Sequence, residues 1–152
     1  MRWVEYFRNL AHNVKLKSKD EKTQIGAIIV GKDKEIVSTG YNSFPRGLKD
    51  SNKSRQERPE KYFWFEHAER NAIYNAARIG VSTKGCTMYL SCGIPCSDCA
   101  RGIINSGITR IFCERGVTTK GDHWEENYNR SWEMLEEAGI NIQFYDDDYG
   151  GI

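Results

Sequence analysis

Apolar positions along the chain change their period several times, and each change marks an element. Trp3, Phe7, Leu10 and Val14 recur at helical spacing, which predicts an amphipathic helix ending near Lys17. Residues 24–30 (Gln-Ile-Gly-Ala-Ile-Ile-Val) form a β-branched run, and a polar stretch at 32–35 separates it from 35–41, so two strands joined by a turn are expected. Residues 42–62 hold Gly, Pro, Ser, Asn, Lys and Arg without periodicity, and read as a long loop of the kind that often serves function. Helical spacing resumes at His67 through Ala68, Ala72, Ala76 and Ile79, and Gly80 ends it. A strand at 86–90, a helix at 97–106 stopped by Gly107, a strand at 108–113, a helix at 124–138 closed by Gly139 and a strand at 140–145 follow. The order is α-β-β-α-β-α-β-α-β. Its alternation implies right-handed crossovers onto a partly parallel sheet, hence an α/β chain folded as a three-layer α/β/α sandwich around a mixed five-stranded sheet. One domain is expected over residues 1–152.

Composition narrows the function more than the fold. With 22 Lys+Arg against 21 Asp+Glu the net charge is only +1, too little for gripping a long nucleic acid backbone. The charge is polarised, +6 over residues 1–61 and −5 over 62–152, which suits a small phosphorylated ligand near the first part. No apolar run approaches the roughly 18 residues that span a bilayer, and the opening Met1-Arg2-Trp3-Val4-Glu5 lacks an export signal's apolar core. A cytoplasmic protein without a membrane partner is the expectation. Five cysteines, an odd number, then favour a metal or a reactive thiol over a disulfide framework.

Two short patterns carry chemistry: His67-Ala68-Glu69 and Pro95-Cys96-Ser97-Asp98-Cys99. The first alone is weak, since His123-Trp124-Glu125 repeats it with no Cys-x-x-Cys downstream. Together they offer two thiolates and one imidazole, which leave a tetrahedral zinc an open fourth position, the catalytic rather than the structural arrangement. Cysteines three apart share a helix face, and Pro95 suits a helix start, where free amides favour thiolates. Within a helix, residues two apart point about 200° from each other. His67 must therefore sit at a non-helical entry position if its ring is to bind metal while Glu69 hangs beside the open position. The run Tyr62-Phe63-Trp64-Phe65 is expected to wall the site and raise the Glu69 pKa. Zinc with two thiolates and a neutral histidine is formally neutral and acidifies water modestly, so Glu69 is needed to take the proton.

At this point the chain resembles the zinc-dependent cytidine/deoxycytidylate deaminase superfamily, most closely the dCMP deaminases. The likeness runs through Ser18-Lys19-Asp20, residues 23–30, Gly40-Tyr41-Asn42 with Pro45 and Gly47, residues 67–73, Pro95 to Ala100 and residues 103–108. It implies a cytidine deaminase-like fold and hydrolysis of dCMP to dUMP, a step that supplies dTMP synthesis. By the same likeness His67, Cys96 and Cys99 bind Zn²⁺ and Glu69 shuttles protons to N3 and the leaving ammonia. The Ala68 backbone N–H contacts the base O2, Asn42 a sugar hydroxyl, and Lys22 stands first among candidate phosphate cations, ahead of Arg46, Lys49, Lys53, Arg55 and Arg58. Many such enzymes are homohexamers activated by dCTP and inhibited by dTTP, which places an effector site at Arg46, Gly47, Lys49 and Asp50. Residues 43–65 lack Cys and His, so one zinc per subunit is expected, without the second, structural zinc of some relatives. Cys92 reads as a structural strand-end residue, and Cys86 and Cys113 as buried core thiols. The competing readings are another deaminase of the superfamily, acting on dCTP, cytidine or tRNA adenosine, and a zinc-stabilised nucleotide-binding regulator without activity.

Overall fold

The computed structural model describes residues 1–116 and 122–147. Helix α1 (Trp3–Val14) leads into a hairpin of β1 (Gly26–Val30) and β2 (Ile36–Tyr41). A 3-10 turn at Lys53–Gln56 and a one-turn helix α2 (Lys61–Trp64) interrupt the expected loop. Then come α3 (Ala68–Ile79), β3 (Thr87–Leu90), α4 (Ser97–Asn105), β4 (Arg110–Cys113), α5 (Asp122–Glu137) and β5 (Asn141–Phe144).

The sheet order is β2-β1-β3-β4-β5. The β1–β2 and β1–β3 pairs are antiparallel, whereas β3–β4 and β4–β5 are parallel. The mixed five-stranded sheet and three-layer sandwich expected from the pattern are therefore present. All five residues of β1 are buried, as a strand covered on both faces must be. Alternation splits them: Ile28 and Val30 join Val4, Phe7 and Ala11 of α1 with Tyr89 and Phe112. Ala27 and Ile29 turn to the other face, against Ala68 and Ala72 of α3, Ala100 and Ile103 of α4 and Leu135 of α5. Thus α1 covers one face alone, and the two helices that begin with the metal motifs lie together on the other.

Two glycines set how closely the helices lie on the sheet. A Cβ on Gly26 would meet the Ala11 carbonyl oxygen at 2.2 Å, and one on Gly40 would meet the Ala72 nitrogen at 2.4 Å. Gly40 in β2 thereby lets the first turns of α3 touch the strand, which seats His67 and Glu69.

Candidate functional site

The chain turns from extended to helical at His67, which caps α3 with φ −79° and ψ 152° and places Glu69 in the first turn. This is the non-helical entry position the His-x-Glu spacing requires. Side chains lock it: Glu66 Oε1 accepts from the His67 N–H at 3.0 Å and from Arg70 Nε at 2.7 Å. Asn71 Nδ2 donates to the Tyr41 carbonyl at 2.8 Å, tying α3 to the end of β2.

Helix α4 begins in the same manner. Cys96 caps it with φ −69° and ψ 169°, and Cys99 follows inside the first turn. The Sγ atoms of Cys96 and Cys99 lie 3.4 and 3.3 Å from His67 Nδ1. A tetrahedral zinc with Zn–S near 2.3 Å and Zn–N near 2.0–2.1 Å has N···S edges of roughly 3.6 Å, so the triad fits the ion with little movement. Among the described residues this is the group of metal-ligating side chains whose donor atoms gather within 4.8 Å. Hydrogen bonding from Cys99 and His67 pulls the Cys96 thiol down, while bonding to Cys96 and burial push Cys99 up. A divalent cation at the triad would draw the protons off both thiols.

Glu69 is 3% exposed, and among the described residues its Oε1 has no hydrogen-bond partner. A buried carboxylate oxygen with nothing to bind is costly unless water or a ligand completes it. Burial pushes the Glu69 carboxyl up, the direction expected of a buried acid–base group. Beside it, Arg70 is ion-paired to Glu66 at 2.6 Å. Burial opposes the Arg70 charge, but Cys99 and Glu66 hold it protonated.

A cavity of about 350 Å³ opens onto His67, Glu69 and Cys96. Tyr62, Phe65, Ile94, Trp124 and Tyr128 form its apolar walls, and Asp20, Asn42, Arg58, Lys61 and Asn127 supply polar ones. Phe63 departs from the expected wall and is 80% exposed, and Trp64 faces Arg55 and Glu60 instead. Asn42 lines the cavity with its amide already engaged. Its Nδ2 donates to Thr23 O at 2.8 Å and Asp20 Oδ2 at 3.3 Å, and its Oδ1 accepts from the Ile25 N–H at 2.9 Å. What Asn42 retains is an acceptor lone pair, suited to a hydroxyl donor. Ala68 is the buried first residue of α3, where helix amides have no intrahelical acceptor.

Lys22 lies outside the cavity. Its backbone N–H donates to Asp20 Oδ1 at 2.9 Å in a local turn, and its side chain is exposed. The cavity is lined by three other cations: Arg58 and Lys61 of the 42–62 segment, Lys61 ion-paired to buried Asp20 at 2.6 Å, and Arg70 of α3. Of the expected effector residues, Arg46, Gly47 and Asp50 line a second cavity of about 230 Å³ with Lys17, Lys19 and Tyr41, while Lys49 is exposed outside it. Arg46 bonds Asn75 Oδ1 at 2.7 Å, and Asp50 pairs with Lys19 at 2.6 Å. Cys86 and Cys113 are buried core thiols, and burial pushes Cys113 up to about 12. Cys92 lines the first cavity without joining the metal triad.

Sequence reasoning missed Asp20, Lys61, Trp124, Asn127 and Tyr128 as cavity residues. Trp124 and Tyr128 at i and i+4 carried a signal, since they must share one face of α5, but nothing local said what that face met.

Comparison with known proteins agrees with this geometry. Residues 1–115 match the family described as the cytidine and deoxycytidylate deaminase zinc-binding region. An uncharacterized deaminase of Aliivibrio fischeri is 36% identical over 141 residues, covering 93% of this chain and 92% of that protein. The deoxycytidylate deaminase of Mus musculus is 37% identical over 157 residues, covering 100% of this chain and 84% of its own. Among solved structures, the cyanophage S-TIM5 dCMP deaminase in complex with dCMP and dUMP superposes with a TM-score of 0.72 at 21% identity, covering 92% of this chain and 94% of that one.

Proposed function

The chain belongs to the cytidine and deoxycytidylate deaminase family, and we propose that within it the protein hydrolyses dCMP to dUMP and ammonia. The deoxycytidylate deaminase relatives support that substrate. The observation that carries the reading is that one cavity is lined both by the metal triad with Glu69 and by a cation left without a carboxylate. Lys61 is neutralised by Asp20 and Arg70 by Glu66, whereas Arg58 makes no ion pair among the described residues. One spare guanidinium suits one phosphate, and about 350 Å³ lies in the ordinary range for small-molecule sites.

His67, Cys96 and Cys99 would hold zinc, which when bound would supply the Lewis acidity that makes a water nucleophilic at neutral pH. Glu69 accepts the water proton and hands it to N3 of the pyrimidine as C4 is attacked, then takes the proton of the new C4 hydroxyl and gives it to the amino group, which leaves as ammonia while C4 becomes a carbonyl. Burial raises the proton affinity of Glu69, the direction that favours holding a proton between the two transfers. The Ala68 N–H binds the base O2, and the Asn42 lone pair accepts from a sugar hydroxyl. Tyr62, Phe65 and Trp124 exclude bulk water from the base.

We place effector control, activation by dCTP and inhibition by dTTP, at the second cavity, where Lys17, Lys19 and Arg46 suit a triphosphate. Adjacent residues serve the two cavities: Lys19 and Tyr41 line the second, Asp20 and Asn42 the first. The working enzyme is read as a cytoplasmic homohexamer. Ammonia release from cytidine, CMP, dCMP, dCTP and adenosine, repeated with dCTP and dTTP added, tests the whole reading. The highest kcat/KM is expected for dCMP, and a preference for cytidine or adenosine would overturn it.

A further inference from the structure

Helix α5 lies beyond the segment that matches the family, yet its side chains close on the metal-ligand loop. Cys96 must serve as ligand and helix cap at once, and it makes no side-chain cap bond to α4. A Ser or Asp cap would take an α4 amide on its side-chain oxygen, a bond that Cys96 does not make. The missing cap arrives from α5: Asn127 Oδ1 accepts from the Ser97 N–H at 3.0 Å, and Asn127 Nδ2 donates to Ser97 Oγ at 3.0 Å. One turn further along, fully buried Ser131 donates its hydroxyl to the Pro95 carbonyl at 2.6 Å. Buried Tyr128, between them in sequence, packs with Cys96 and Cys99.

These bonds act on the two peptide planes that flank the Cys96 Cα. The plane joining Pro95 to Cys96 is held by Ser131, and the plane joining Cys96 to Ser97 by Asn127 together with the α4 bond from the Ala100 N–H to the Cys96 carbonyl. Because peptide units are rigid, fixing both planes fixes φ and ψ of Cys96 and with them the direction of its Cα–Cβ bond. Cys99 needs no such help, since it lies inside the helix ladder.

We propose that Asn127 and Ser131 are positioning residues that preset Cys96 for zinc, so that α5 governs how firmly the metal is retained. The clamp acts on the protein before substrate binds and holds whichever nucleotide the enzyme takes. Its test therefore needs no substrate: zinc transfer from the folded holoenzyme to a chromophoric chelator, with the thiolate charge-transfer bands of the cobalt-substituted protein as a second readout. The double variant Asn127→Ala/Ser131→Ala is expected to release zinc at least about ten-fold faster and to shift those bands, as loss of outer hydrogen-bond partners does at other metal sites. Asn127→Asp, which keeps the acceptor for the Ser97 N–H, is expected to release zinc more slowly than Asn127→Ala. Phe7→Leu, a core change on the opposite face of the sheet, controls for general loosening and is expected to leave the release rate unchanged. Wild-type release from the double variant, or equal release from Phe7→Leu, would overturn the proposal.

Discussion

Replacing Gly40 by alanine tests whether close contact between β2 and α3 sets the catalytic geometry. The new Cβ would lie 2.4 Å from the Ala72 nitrogen, 2.6 Å from the Ala68 carbonyl oxygen and 2.9 Å from the Ala72 Cα. Ordinary contact begins near 3.4 Å, so α3 must back away by about 1 Å, and all three atoms are backbone, which cannot rotate aside. The displaced turn carries Glu69 and follows His67. Overpacking of this kind costs about 1–3 kcal/mol, or a fall in Tm of roughly 3–10 °C for a chain of this size. Misplacing a catalytic group by 1 Å can cost about 10²-fold in rate. We expect kcat/KM for dCMP to fall far more than the lost stability explains at an assay temperature where the variant is fully folded. Gly102→Ala in α4 is the matched control: its Cβ would make ordinary contacts with the Arg70 Cγ at 3.6 Å and the Ile73 Cδ1 at 3.8 Å, so activity should hold and stability rise by about 0.5–1 kcal/mol. Thermal melting, zinc content and steady-state kinetics of both variants decide the matter. A Gly40→Ala enzyme with wild-type melting and kcat/KM within threefold of the parent would refute the reasoning.

Glu69→Gln should keep zinc and fold while kcat falls by at least about 10²–10⁴-fold, measured by ammonia release beside metal analysis; retained turnover removes the proton shuttle from Glu69. Cys96→Ala should lose zinc, and full occupancy in that variant would reassign the ligand. Arg58→Ala should raise KM for dCMP by about ten-fold or more, the scale of a hydrogen bond to a charged group, and leave deoxycytidine turnover unchanged; an equal effect on both substrates argues against a phosphate contact. Partial burial raises Glu114, but hydrogen bonds from Arg8 at 2.8 Å and His12 at 3.0 Å outweigh it and hold the carboxyl below its ordinary range. A depressed carboxylate adds stability above its unfolded pKa of about 4.3 and loses it as pH falls through the folded value. Urea midpoints should therefore drop more between pH 5 and 3 in the parent than in Glu114→Gln, and parallel curves would show that this cluster contributes nothing.

The elements legible in the chain were those whose signal is local. Helical spacing, β-branched runs and stop glycines depend on neighbours a few residues apart, and they placed every strand and every long helix within a few residues. Residues 42–62 read as a long loop because a four-residue helix such as α2 has no period to show; it forms where Lys61 meets Asp20 and Trp64 meets Arg55. Lys22 looked like a phosphate cation from its place in a motif. Asp20 draws the Lys22 amide inward, and the charged side chain is left in solvent.

Alone, the sequence determined the chemistry: His67, Glu69, Cys96 and Cys99 are recognisable because metal binding and proton transfer demand particular residue types at helix starts, and those spacings are short. Only the tertiary structure decided what surrounds them. Asp20, Arg58, Lys61, Asn127 and Ser131 come from segments far apart in the chain, and their convergence follows from the sheet order and the seating of α3 and α5 against it. The physical reason is the range of the forces. Backbone geometry fixes where neighbouring side chains point, but bringing distant segments to one cavity requires the buried core to close first.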